Sequence, residues 1–518
     1  MSASRPAAVT SRRRRLWLVF AIALIAHLPA LWNGFTWLDH GDLEARAAIA
    51  PLSELPRLFG EPYARTGFYR PVTALSLSLD AALSGAPFGY HLTNLLLHAA
   101  AAVLVALVAE ALGLDAWAAV LAAAFFALHT STSLVANQVT YRADALLMIA
   151  LALTLLGQTR GRPWLVGIGL LLGCLSKETA FVLGPLLMAG LALWHRPSRA
   201  VLGAAAASWV GAALLRLSVA PTWKPAAIPL SPDLWLGTRL AALGQQLELL
   251  LWPWRGRLCD AVPISPVASG SAVLGVLGIA LMLALAWKVR PLGLLALIAS
   301  TPMLNLVPLP RMSSPHYLYV PLAFLAMALA RWFVQWRAGV WAMSVLAVGL
   351  FASSLFDSFR YHDDAALFRA EVALGPQCRE AHLYWGDAQR LEGNLEAAGN
   401  AYEVASGPAQ GFASYSDVGA ALQNLGVVRR EQGRLDEAWR ALSAAHALPA
   451  DPLSHRQRAF NLAVLAMDRQ EFVAVEQLLR AEADRKDALP EALELLAHAV
   501  GAQGREAEAR ELLRRSQR

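Results

Sequence analysis

Long apolar runs alternate with short polar interruptions along the chain as far as residue 356. Runs of bilayer-crossing length fall at 16–32, near 90–112, 117–131, 144–158, 163–177, 179–195 and 199–219, and again near 270–287, 291–309, 317–335 and 339–356. One further stretch, 236–254, is only partly apolar: it carries Arg239, Gln245, Gln246 and Glu248 and ends in Trp-Pro-Trp. Charge decides how it is read. The basic groups Arg160/Arg162, His195/Arg196/Arg199, Lys288/Arg290 and Arg331/Arg337 share the side of Arg12 to Arg15 only if 236–254 lies along the interface. The expectation is about 11 spans, with an uncleaved first helix, a cytoplasmic N-terminus and the C-terminal part outside.

Beyond residue 376 the pattern changes to paired amphipathic helices. Gly386, Gly393, Ala398, Tyr402 and Ala405 sit at the spacing of a tetratricopeptide repeat, which Gly426, Gly433, Ala438 and Ala445 repeat with Leu442 in the aromatic slot. Val475 and Leu479 suggest a degenerate third unit, and Gly504, Ala509 and Leu513 close a fourth. An ordinary helical bundle is the alternative. The fold class expected is all-α: a polytopic membrane helical bundle over 1–356 with a first outer loop at 33–89, a helical connector over 357–376, and an α-solenoid of tetratricopeptide repeats over 377–518.

Composition narrows the chemistry. With 57% hydrophobic and 16% charged residues, acids at a membrane edge are few, and ionisable groups there tend to be functional. The net charge of +6 comes from short basic clusters between apolar runs, which is not a nucleic-acid surface. Cys174, Cys259 and Cys378 have no metal-ligand spacing, and a bridge between the last two requires both to face an oxidising compartment.

The polar outliers converge on one side of the expected topology. Asp39 and Asp42 follow the first apolar run, with Arg70 and Asp80 in the same loop. His91, Asn94 and His98 share one helix face. His129, Arg142, Asp144, Lys177, Glu178, Arg311, His316, Tyr317 and Tyr319 mark the same ends of later spans. Each has a plainer reading: His98 as a packing residue, Lys177 paired with its neighbour Glu178, Arg142 paired with Asp144. The histidines lack carboxylate partners at zinc spacing. Acids that can activate a hydroxyl beside cations that can hold a phosphate are what glycosyl transfer from a lipid phosphate requires.

Phe35-Thr-Trp-Leu-Asp39, Tyr69-Arg-Pro71, Leu75-Ser-Leu-Ser-Leu-Asp80, Gly89-Tyr-His-Leu-Thr-Asn-Leu-Leu-Leu-His98, Phe126-Ala-Leu-His129 through Arg142-Ala-Asp144, Leu175-Ser-Lys-Glu-Thr179 and His316-Tyr-Leu-Tyr-Val-Pro321 occur in that order. In this set the chain resembles the transmembrane and tetratricopeptide-repeat O-mannosyltransferase-like family of class C glycosyltransferases. It departs at Leu38, where the family has the first of two acids, at Thr130 and Leu134, and at His316, where the family has Arg. The resemblance implies a bacterial-type inner-membrane enzyme moving a sugar, mannose by the family's name, from a polyprenyl-phosphate donor to a protein or glycan hydroxyl on the periplasmic face. It implies Asp39 as general base with Asp42 beside it. Arg70, Arg142, Lys177 and Arg311 would hold the lipid phosphate, and His91, Asn94, Asp144, Glu178, His316 and Tyr319 would complete the substrate site. The partners implied are the lipid-linked donor, membrane lipid and a protein bound on the repeats. A divalent cation is the one cofactor the acids leave open. Two alternatives stand beside this reading: a non-enzymatic membrane scaffold, and a transferase modifying a lipid-linked glycan or lipid headgroup.

Overall fold

Helices make up almost all of the computed structural model, which describes the whole chain except residues 1–4, 66, 221–229, 255–257, 260, 308, 310 and 518. Among the described residues, five helices are long and apolar enough to cross a membrane: Pro87–Ala111, Val139–Thr159, Arg199–Val219, Gly270–Lys288 and Arg337–Tyr361. A sixth is gained if Ala116–Leu128 and Thr130–Asn137, bent by 65° at His129, count as one span. This corrects the expected eleven. The reason is length: Pro163–Ser176, Ala180–Ala192 and Tyr319–Phe333 have 14, 13 and 15 residues, and Leu292–Ala299 has 8. At 1.5 Å per residue even the longest of these reaches only about 22 Å of a ~30 Å hydrocarbon core. The first helix, Arg5–Ala26, spends its opening turns on Arg12 to Arg15 and stays apolar for only about eleven residues. The parity argument that placed the N-terminus inside and the C-terminal part outside rests on the eleven-span count and falls with it.

Burial sorts the membrane-length helices. Val139–Thr159 is 78% buried and Pro87–Ala111 56%, so these two form the interior. Arg199–Val219 and Gly270–Lys288 are only 11% buried, leaving most of their apolar surface exposed, as a helix facing lipid requires. Gly270–Lys288 packs closely on the partly polar helix Pro232–Leu251: a Cβ at Gly275 would overlap the Leu240 carbonyl, and one at Gly244 would stand 2.5 Å from the Ser271 carbonyl. Gly275→Ala is therefore expected to cost about 1–3 kcal/mol, read as a lower denaturation temperature of the detergent-solubilised protein, because backbone cannot move aside as a side chain can. An unchanged temperature would mean the two helices part freely.

The chain folds as two compact units, Met1–Ala370 with Gly411–Ala413, and Glu371–Gln410 with Ser414–Arg518. The second unit is a run of helical hairpins: Arg379–Leu391 with Leu395–Ser406, Val418–Glu431 with Leu435–Ala447, Pro452–Asp468 with Phe472–Ala483, and Pro490–Ala502 with Glu506–Ser516. Three of the four tight turns place glycine at positive φ (Gly393, Gly433, Gly504), as the left-handed residue after a helix favours. Gln470 takes that place in the third, which is why its repeat signature is weak. Gly386 lies against Tyr402 and Gly426 against Leu442, so each inner helix rests on a large side chain of its partner. The expected regular solenoid of tetratricopeptide repeats is nevertheless corrected. Gly411–Ala413, between the first and second hairpins, belongs to the other unit, where Phe412 and Ala413 pair antiparallel with Pro263 and Val262. That excursion interrupts the ~34-residue period on which the expectation rested.

Candidate functional site

The first loop is a folded structure. Short helical turns at Leu28–Trp32, His40–Glu44 and Leu52–Phe59 lead into the helix Pro71–Leu83. Leu43, Ala48, Tyr63, Ala74, Leu77, Tyr90 and Val139 form its own apolar core. Asp39 enters the turn His40–Glu44 with its side chain 0% exposed. The backbone N–H and hydroxyl of Thr140 both donate to its Oδ1, at 2.9 and 2.6 Å. Its Oδ2 is buried with no hydrogen-bond partner.

Burial, partly offset by the Thr140 bonds, pushes the Asp39 carboxyl up to about 6, with the nearby Asp42 adding to the rise. The sign follows directly. A carboxyl raised in the folded state from 3.8 to about 6 contributes stability fully present below pH 3.8 and lost as pH rises through 6. Keeping the carboxylate charged at neutral pH thus costs roughly 3 kcal/mol. Asp42 is likewise raised by burial, against the hydrogen bond it accepts on Oδ2 from the Tyr63 hydroxyl at 2.7 Å.

The cations beside these acids are paired, though with different partners than sequence neighbours suggest. Lys177 binds both oxygens of Asp144 at 2.6 Å, not Glu178. Glu178 instead receives Arg70 through Nε and Nη2 at 3.0 and 2.8 Å, together with the Tyr69 backbone N–H. Arg142 pairs with Asp80 at 2.6 Å, not with Asp144, and also donates to Asn94 Oδ1, Ser76 Oγ and the Tyr90 carbonyl. Arg142 is fully buried, so it pins the loop helix Pro71–Leu83 to the span Pro87–Ala111 and has little left for a ligand.

Arg70 and Lys177 keep donors in reserve. An ammonium has three and Lys177 gives two to Asp144; Nη1 of Arg70 makes no hydrogen bond among the described residues. Arg70 also lies over the rings of Phe68 at 4.3 Å and Tyr63 at 5.6 Å, at the wall of a cavity of about 70 Å³. His316 is held well below its usual range by burial first, then by the charges of Lys177, Arg311 and Arg70. Arg70 is the group these residues share: it acts on Asp42, Tyr63, Lys177 and His316, while Asp39 acts on Tyr63.

The other candidates make contacts within the fold. His91 Nε2 reaches the Gly34 carbonyl at 3.2 Å, and Asn94 bridges the Gln138 carbonyl and Arg142. The Tyr319 hydroxyl meets His98 Nδ1 at 2.8 Å while His98 Nε2 faces the Ala127 carbonyl, the plainer reading of that histidine. His316 is packed between Tyr141 and Tyr317, and the Arg311 guanidinium stands 5.1 Å over the Trp37 ring. Tyr63, Thr140 and Asp364 are the important residues the sequence reading did not single out. The first is legible only as an aromatic among polar loop residues, and the other two carry no local signal.

Among the described residues no three His, Cys, Asp or Glu side chains gather as a metal site. Asp39 Oδ1 is taken by Thr140, Asp42 Oδ2 by Tyr63, and His40 lies between Glu44 and Asp364. That donor set does not fit a divalent cation.

The fold defines a class, the membrane helix bundle with a folded first loop, here carrying the buried Asp39 and paired cations nearby. Comparison with known proteins narrows that class. The chain is 33% identical over 183 residues, 31% of its length and 20% of the relative's, to Protein O-mannosyl-transferase Tmtc2 of Drosophila melanogaster. It is 33% identical over 187 residues, 33% of its length and 22% of the relative's, to Protein O-mannosyl-transferase Tmtc1 of the same organism. It matches no protein-family model. The chain thus spans about a fifth of the length of the curated relatives it matches, which makes it a distant relative of the O-mannosyltransferase-like proteins. Both relatives are from an animal, and among the described residues five or six helices reach membrane length. The bacterial inner-membrane placement with a periplasmic C-terminal domain is therefore corrected to a membrane protein without an assigned compartment.

Proposed function

We propose that the chain is a membrane glycosyltransferase moving a sugar from a polyprenyl-phosphate donor to a protein or glycan hydroxyl. The observation that carries the reading is the buried, unpartnered Oδ2 of Asp39, in a loop where Arg70 acts on the neighbouring Asp42. An acid held at a stability cost, with one oxygen unsatisfied, is poised to accept a proton, and a value near 6 leaves it ionised at neutral pH.

In the reaction the acceptor oxygen attacks the anomeric carbon and its proton passes to Asp39 Oδ2. The bond from that carbon to the phosphate oxygen breaks, and its electron pair leaves with the polyprenyl phosphate. Charge grows on the phosphate as it departs, and in this reading the spare donors of Arg70 and Lys177, joined by Arg311, meet it. Asp42, tied to Tyr63, orients the acid pair. Arg142 is assigned to holding the loop.

The donor site is tested by neutralising a whole pair, which leaves no orphan charge. Lys177→Gln with Asp144→Asn keeps hydrogen bonding between the two positions. It is expected to raise the half-saturating concentration of a polyprenyl-phosphate sugar about tenfold, the loss of one charge-assisted hydrogen bond. Unchanged donor affinity in the folded double variant would remove Lys177 from the phosphate site.

A further inference from the structure

Asp39 sits on a loop whose own backbone is under strain. Trp37, two residues earlier, has φ +55, a left-handed conformation costly for a bulky residue, and its side chain is 2% exposed. Something outside the loop must hold it. One side of the grip is the span Val139–Thr159 and the turn before it: Thr36 and Gln138 exchange two hydrogen bonds, and Thr140 binds Asp39.

The other side comes from far along the chain, from the end of the last membrane-length helix and the residues that follow it. Asn33 Nδ2 donates to the Ser358 carbonyl at 3.1 Å, and the Gly34 N–H to the His362 carbonyl at 3.0 Å. A Cβ at Gly34 would stand 3.3 Å from that same carbonyl, so glycine permits the approach. Phe368 packs edge-on to the Trp37 ring. At the centre is Asp364. Its Oδ1 accepts the Trp37 N–H at 2.8 Å and its Oδ2 meets His40 Nε2 at 2.7 Å. One carboxylate thus grips the residues on both sides of Leu38-Asp39.

Local sequence frees it for this. Asp363 caps the helix beginning at Asp364, accepting the Ala366 N–H at 2.7 Å, so Asp364 need not cap and can reach across. His40 is also bound by Glu44 through Nδ1 at 2.6 Å, and these two acids are the charged groups that act on it. A histidine between two carboxylates is an imidazolium with both ring nitrogens donating.

We propose that Asp364 is a positioning residue for the candidate general base, holding Trp37 and His40 so that Asp39 keeps its unpartnered oxygen aimed into the site. Its place in catalysis rests on the transferase reading above; the clasp itself does not. The hydrogen bond from Asp364 comes first among the causes that raise His40 to about 9, so the charged grip is fully present below pH 6.5 and is lost as pH rises through 9. The half-exposed position of His40 weakens that contribution through solvent screening.

Amide hydrogen exchange of the full chain in lipid nanodiscs, corrected for intrinsic rates, tests the clasp without any substrate. In Asp364→Ala, peptides covering 33–48 are expected to exchange at least about tenfold faster at pH 7 while Pro87–Ala111 and Val139–Thr159 keep wild-type protection. Asp364→Asn retains an acceptor for the Trp37 N–H and loses the charge facing His40. Its amide NH2 then faces the imidazolium Nε2–H, donor against donor, so protection at 33–48 should already be reduced at pH 6, whereas wild type holds it toward pH 9. Unchanged exchange at 33–48 in Asp364→Ala, or equal loosening of the whole bundle, overturns the proposal. Asp364→Asn with the wild-type pH dependence overturns the role of the charged pair. The same variants, given polyprenyl-phosphate mannose, separate the two claims. A loosened loop in a protein whose wild type never releases the sugar sinks the transferase reading and leaves the clasp; wild-type turnover with an undisturbed loop in Asp364→Ala sinks the positioning role.

Discussion

Asp39→Asn is expected to lower sugar transfer by ~10²–10⁴-fold, the usual contribution of a positioned general base, while leaving the protein folded and donor binding intact. The substitution isolates basicity because the site suits an amide. The Asn oxygen can still accept from the Thr140 N–H and hydroxyl, which now bind Asp39 Oδ1. No buried charge remains, so at neutral pH the variant should be as stable as wild type or more so. Wild-type activity should rise with pH through about 6 as the carboxylate forms, and whatever remains in the variant should lack that limb. Transfer assays across pH 4.5–8 on both proteins, with denaturation temperature as the folding control, check all three statements (the pH limits are approximate and bracket the acid limb). A variant that folds, binds donor and transfers at the wild-type rate would remove Asp39 from the chemistry. Loss of activity accompanied by unfolding would make it a structural acid.

Arg142→Gln is expected to fail in a different way. The guanidinium is fully buried and its partners include Asp80, Asn94, Ser76 and a backbone carbonyl. Removing it strands the Asp80 carboxylate, whose Oδ2 has no other partner and whose Oδ1 is bound by the Thr93 hydroxyl. Breaking a buried pair from one side costs about 3–5 kcal/mol, a large share of a marginal total. The variant should be poorly recovered and unfold at a much lower temperature. Arg142→Met combined with Asp80→Leu removes both charges and should recover much of that loss. A stable Arg142→Gln with weakened donor affinity would return Arg142 to the phosphate site and require a different account of Asp80.

Much of this site was legible in the sequence, because the polar residues that break an apolar pattern are few. Asp39, Arg70, Lys177 and His316 stood out that way, and the charges of Arg70 and Lys177 do act on His316. Pairing was not legible. Lys177 and Glu178 are adjacent in sequence, yet the chain leaves its helix at Lys177, so the two side chains diverge to Asp144 and Arg70. Arg142 and Asp144 sit two apart on a helix and so point to different faces. The hidden part is the grip of Asp364 on Trp37 across 327 positions, which no local pattern encodes.

Span counting failed for a related reason. Apolar composition without a length test misreads helices of 13 to 15 residues: Tyr319–Phe333 is apolar because protein surrounds it, and Pro163–Ser176 and Ala180–Ala192 expose apolar faces but are too short to cross. In the C-terminal unit the glycine turns marked the hairpins correctly, but nothing in their spacing announced that Gly411–Ala413 leaves the run to pair with Val262 and Pro263.

The central claim is that this site takes a sugar off a lipid phosphate with Asp39 as base. The direct measurement is transfer of labelled mannose from polyprenyl-phosphate mannose in liposomes containing the purified full chain, with a mixture of soluble serine- and threonine-containing peptides and glycans as acceptors. The account predicts that label leaves the lipid and appears on an acceptor hydroxyl with the wild-type chain, and stays on the lipid with Asp39→Asn although that variant binds the donor equally. A wild-type chain that binds the donor yet leaves every label on the lipid would contradict it, as would equal transfer by both proteins.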